Sequence, residues 1–80
     1  MQYAGRSPDN VSPAALSRRQ REVAILIATG CTNGDIAREL SLAPGTVSLY
    51  VQQIRWRLGA TSRAQIAVWA VRQGLYSRPE

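Results

Sequence analysis

Apolar residues recur with a period near 3.6 in four stretches of the chain, and each stretch is bounded by residues that start or stop helices. In the first, Gln20, Val23, Ala24 and Ile27 share one face, Ile25 and Leu26 widen it, and Arg18, Arg21 and Glu22 lie mostly on the other. Ser17, with Gln20 three residues on, has the spacing of a capping box, and Gly30 suits a left-handed helix end. The second helix is expected from a Thr32 cap, with Asp35 three residues later, to about Leu40. Ile36, Ala37 and Leu40 point inward there, Asp35, Arg38 and Glu39 outward, and the small Ala37 permits close approach of a crossing helix.

Ser41, Leu42 and Ala43 make a tight turn, and Pro44 takes the first helical position, where its missing donor costs nothing. The third helix is predicted over Gly45 to Leu58, with Val47, Val51, Ile54 and Leu58 at i, i+4, i+7 and i+11. Its other face carries Thr46, Ser48, Leu49, Gln52, Gln53, Arg55 and Arg57, and Gly59 closes it. The fourth helix follows Ser62, which repeats the capping spacing with Gln65, and runs to Gln73 before Gly74. Ile66, Ala67, Ala70 and Val71 form its main inward stripe. Trp69 and Val68 extend the apolar surface beyond one stripe, and either the core of one chain or a second copy of this helix would cover the excess.

These elements predict an all-α, four-helix domain over residues 16–75. Residues 1–15 show no period and read as a flexible arm or linker from which Arg6 could reach DNA, and residues 76–80 read as a tail. Eighty residues suffice for one small core, burying about 60% of the unfolded surface. Hydrophobic residues at 45% with 19% charged indicate a folded chain. No apolar run is long enough to span a bilayer and no signal-peptide pattern opens the chain, so a cytoplasmic location is expected.

Charge then sharpens the picture. The net charge is +5, all ten basic residues are arginine, and no acidic residue occurs between Ala43 and Arg78. The outward face of the third helix is therefore purely positive, as a polyanionic partner requires. Cys31 alone makes no disulfide within the chain and is expected as a small buried hydrophobe without a redox role. With no histidine, five scattered acidic residues and no glycine-rich loop after a strand, the residues offer no catalytic constellation, metal site or cofactor site, and no enzyme is expected.

What remains is a helix pair with a short turn and a basic, amide-rich second helix, the plan of a helix-turn-helix DNA reader. Gln52 and Gln53 can offer paired amide groups to adenine, Ser48 can donate or accept, Leu49 can touch a thymine methyl, and Thr46, Arg55 and Arg57 can hold phosphates. The alternative on the same fold is a protein-interaction module, docking a partner through Trp56, Val68, Trp69 and Tyr76.

Leu16 to Val23, Gly30 to Leu40, Gly45-Thr46-Val47-Ser48 and Leu58-Gly59-Ala60-Thr61-Ser62-Arg63 together resemble the LuxR-type (GerE-like) helix-turn-helix domain of bacterial transcription regulators, over about Leu16 to Leu75. The resemblance implies a four-helix domain that binds inverted-repeat double-stranded DNA as a homodimer and regulates transcription. RNA polymerase is expected as a further partner, and no membrane partner and no small molecule bound by this domain are expected. It places base contacts on Ser48, Leu49 and Gln52, backbone contacts on Thr46 and Arg57, and Thr32 and Asn33 near phosphate. The dimer contact falls on the fourth helix, at Ala64, Ala67, Val68 and Val71. The chain departs from the family pattern where that pattern has glutamate at Gln20, lysine at Ser48, histidine at Tyr50, asparagine at Gln53 and a basic residue at Trp56. Trp56 is expected to pack against a neighbouring element rather than lie along a DNA sugar edge.

Overall fold

In a computed structural model, described over residues 8–76, the chain folds into four α-helices preceded by two single-turn 3-10 helices, with no strand among the described residues. The helices are α1 (Arg18–Ala28), α2 (Asn33–Leu40), α3 (Pro44–Leu58) and α4 (Arg63–Arg72). Arg6 and residues 77–80 lie outside the described residues.

Local chemistry sets the helix ends. The capping box at α1 is complete: Ser17 Oγ accepts from Gln20 N–H at 3.1 Å and Gln20 Oε1 accepts from Ser17 N–H at 2.9 Å. A second box opens α2, where Thr32 Oγ1 accepts from Asp35 N–H at 3.1 Å and Asp35 Oδ2 from Thr32 N–H at 3.0 Å. The box expected at α4 is half formed. Ser62 Oγ accepts from Gln65 N–H at 3.2 Å, but Gln65 Oε1 accepts from Thr61 N–H at 2.7 Å, one residue before the cap. Pro44 begins α3 as expected, and Gly59 ends it in the left-handed region at φ 70°. Ser41 ends α2 in the same region at φ 58°, a conformation that a residue with a Cβ adopts at some cost.

The inward residues form one core. Val23, Ala24 and Ile27 of α1, Ile36 and Ala37 of α2, Val47, Ile54 and Leu58 of α3, and Ile66, Trp69 and Ala70 of α4 are buried together. Leu40, Val51 and Cys31 are half-buried against them. Helix α1 packs against α4 and α3, and α2 and α4 also pack against α3, so α3 is held on its inner side by three helices while its outer side stays open.

Two expectations fail here. Val71 is 46% exposed rather than inward, because Trp69 takes the place beside Ile66 and Ala70 and turns Val68 and Val71 to the surface together. The flexible arm does not describe residues 8–15. Val11 packs against the core and its carbonyl accepts from Trp69 Nε1 at 2.8 Å, Asp9 pairs with Arg72 at 2.6 Å, and Leu16 is buried. A period search misses this segment, since two 3-10 turns of proline and alanine carry no helical stripe. Among the described residues, no helix is long and apolar enough to cross a membrane.

Candidate nucleic-acid interface

The exposed side of α3 gathers most of the residues that the sequence singles out. Ser48, Leu49, Gln52, Gln53, Arg55 and Arg57 are exposed and Thr46 is half-buried. At 3.6 residues per turn, Leu49, Gln52 and Trp56 stand in one outward line, with Ser48 and Arg55 to one side and Gln53, Thr46 and Arg57 to the other. Trp56 is 78% exposed in the middle of this face, so the expectation that it packs against a neighbour is wrong. The positions that could cover it are polar: Gln20, Gln52, Gln53 and Arg57 line a shallow depression beside its ring. Periodicity alone would have placed it there, i+7 from Leu49.

The arginines divide by partner. Arg18 and Arg19 pair with Glu22, Arg38 with Asp35, and Arg72 with Asp9. On α3, by contrast, Arg55 donates to the Thr61 carbonyl at 3.2 Å and Arg57 to the Ala15 carbonyl at 2.8 Å. A carbonyl orients a guanidinium without neutralising it, and each group keeps further N–H donors. Among the described residues Arg21, Arg55, Arg57 and Arg63 thus have no carboxylate partner, and two of these four stand on α3. Arg57 reaches its acceptor only because the segment before α1 is docked, a contact that sequence reading had no means to find.

The two helices of the turn are tied together at their outer edge. Arg63, at the start of α4, donates to Asn33 Oδ1 and to the Cys31 carbonyl, each at 2.7 Å. Asn33 Nδ2 in turn donates to Ser48 Oγ at 3.4 Å. Asn33 and Ser48 are thus brought together, whereas Thr32 is occupied as the α2 cap. Its Asp35 partner is held below its ordinary pKa, first by the Thr32 backbone N–H, then by the Thr32 hydroxyl and by Arg38. Gln53 is not presented as a complete amide: its Oε1 accepts from Gln20 Nε2 at 3.1 Å, which corrects the expectation that both amide ends face outward.

On α4, Ala64, Val68 and Val71 are exposed and Ala67 is half-buried, forming an apolar strip. A groove beside it is lined by Ala67, Val68, Val71 and Arg72 of α4, by Ala28, Thr29 and Gly30 at the end of α1, and by Tyr76.

A short three-residue turn from α2 into α3, with the outward side of the second helix open and basic, defines a helix-turn-helix domain. The chain belongs to the luxR family of bacterial regulatory proteins, whose family model matches residues 14–70. It is 42% identical over 74 residues to the probable transcriptional regulatory protein NarL of Mycobacterium tuberculosis, covering 90% of this chain and 34% of that protein. It is 42% identical over 62 residues to the two-component response regulator PprB of Pseudomonas aeruginosa, covering 78% and 22%. Against the HTH-type transcriptional regulator AlkS of Ectopseudomonas oleovorans it is 31% identical over 71 residues, covering 89% and 8%. The chain thus spans about a third or less of the length of these relatives.

Proposed function

We propose that this domain binds double-stranded DNA sequence-specifically to regulate transcription, with α3 in the major groove and a second copy joined through α4 on an inverted repeat. The observation that carries the reading is the open face of α3, where Ser48, Leu49 and Gln52 stand exposed between two arginines whose charge no carboxylate offsets. A helix of this width fits the major groove, and amide, hydroxyl and methyl-contacting side chains are the types that distinguish base edges there. Thr46, Arg55 and Arg57 flank them as phosphate contacts, with Thr32 and Asn33 at the neighbouring end of α2. The relatives' names as transcriptional regulators support the same role. The apolar strip Ala64, Ala67, Val68 and Val71 supports the dimer, since two such strips would remove each other from water.

Titration against duplexes selected from a random pool, over a range of salt, tests the reading. Each phosphate neutralised contributes about 0.9 to the slope of log affinity on log salt. Arg57→Ala should weaken binding to every duplex and lower that slope by roughly one, whereas Gln52→Ala should mainly change base preference. A response flat in salt, or equal losses on all duplexes from both substitutions, would contradict it. Exposed Trp56 favours a second reading, a protein-docking face on the same helix, and capture of a partner that nuclease does not release, without any DNA shift at low salt, would establish that instead.

A further inference from the structure

Two hydrogen-bond chains run from behind α3 to its outward side, and each ends on an exposed side chain of the face proposed to meet DNA. The first begins at Arg63. A guanidinium has donors only, so the Asn33 oxygen must face it, which leaves the Asn33 amide nitrogen to donate to Ser48 Oγ. Among the described residues Ser48 has no other hydrogen-bond partner, and with an inward donor on its oxygen it has the O–H to offer outward. The second chain begins at the Ser17 backbone N–H. It donates to Gln20 Oε1, which turns Gln20 Nε2 toward Gln53 Oε1 and leaves the Gln53 NH2 group as the outer end. Gln20 is nine-tenths buried and Arg63 is half-buried with two bonds of 2.7 Å, so both chains are anchored in the fold and not in solvent.

We infer that these chains set the polarity of the reading face: Ser48 and Gln53 each turn a donor outward, and Arg63, Asn33 and Gln20 are positioning residues that impose this. The inference rests on the reading of α3 as a major-groove helix. At the positions they contact, Ser48 and Gln53 then favour acceptors, the N7 and O6 of guanine, N7 of adenine or O4 of thymine, over the amino group of cytosine. Gln52, which makes no such bond among the described residues, keeps both donor and acceptor and remains able to pair with adenine through both.

The inference predicts that polarity can be reversed from behind without touching a reading residue. Asn33→Asp keeps an acceptor for Arg63 but removes the inward donor, so the Ser48 hydroxyl turns in and its lone pairs face out. Gln20→Glu keeps the capping acceptor for Ser17 N–H and forces Gln53 to turn its NH2 inward. Duplexes selected from a random pool by the unaltered 80-residue chain would be varied one base pair at a time and bound by each variant, with thermal unfolding as a check that each is folded. Asn33→Asp should shift preference at one base pair, and Gln20→Glu at another, by about fivefold from guanine toward cytosine, the worth of one hydrogen bond. The added negative charge should lower affinity on all duplexes alike, which separates it from the change in preference. In a Ser48→Ala background, Asn33→Asp should alter overall affinity only. Uniform loss on all duplexes from both single variants, with preference intact, would overturn the inference while leaving α3 as a DNA reader. Failure of the unaltered chain to prefer any sequence would overturn both.

Discussion

Trp56 on α3 and Trp69 on α4 lie on adjacent helices of the same small domain, the first 78% exposed and the second fully buried. Each sits in a helix whose inner stripe is ordinary: Val47, Ile54 and Leu58 in α3, Ile66 and Ala70 in α4. The two outer faces differ. That of α3 is amide-bearing and cationic with one large aromatic ring in its centre, and that of α4 carries the small aliphatic Ala64, Val68 and Val71 beside Gln65 and Arg72. Trp69 can be buried because α4 is covered on two sides, by α1 and by the docked segment whose Val11 carbonyl accepts its indole N–H. No element crosses the outer side of α3, so the indole of Trp56 stays in water. Burial of a tryptophan thus depends on which flank of its helix a second element covers, and the two outer faces suit two different occupants, a polyanion at α3 and an apolar surface at α4.

The largest test of this contrast is Trp69→Ala, which should lower unfolding stability by roughly 3–5 kcal/mol in chemical denaturation, whereas Trp56→Ala should stay within about 0.5 kcal/mol. Comparable losses from both would abolish the distinction. Next is the α4 strip. Val68→Asp places a charge on an exposed site, so it should leave stability nearly unchanged but reduce affinity for a two-site inverted repeat by on the order of a hundredfold, with half-site affinity preserved. Equal loss on half-site and full site would remove α4 from the dimer contact. A smaller effect is expected at the third helix: acrylamide should quench Trp56 in the unbound chain and much less in the DNA complex, with Trp69 shielded in both. Unchanged quenching of Trp56 on binding would place the ring away from the duplex.

The smallest effect lies away from both faces, at the α2 cap. Asp35 has its pKa depressed by the Thr32 donors, so the carboxylate form stabilises the fold above the ordinary carboxylate pKa. That contribution is lost as pH falls below about 4 through the depressed folded value. Asp35→Asn should flatten the acid side of the stability curve slightly, and an unchanged curve would show the cap to be irrelevant.

Much of the fold was legible because its signals are local. Ser17 with Gln20 and Thr32 with Asp35 act within one helical turn, Pro44 and Gly59 act on their own backbone angles, and the apolar period of α1 through α3 marks the buried side directly. The outward placement of Ser48, Leu49 and Gln52 followed from the same period. At α4 the signal failed, since Ala67, Val68, Trp69, Ala70 and Val71 form an apolar run in which no side is marked by polarity. Residues 8–15 failed for the opposite reason, having too few apolar residues to show a pattern.

By itself, then, the sequence determined the helices, their caps, the three-residue turn and the positive outer side of α3. Tertiary structure alone decided that Trp69 goes in and Trp56 stays out, and that the Ala15 carbonyl meets Arg57. It also decided that Gln20 and Arg63 reach Gln53 and Asn33 across 33 and 30 residues of chain. The physical reason is range. Capping and helical period are settled among neighbours four residues apart, but the partner of a side-chain donor is chosen only when packing brings distant segments within hydrogen-bond reach.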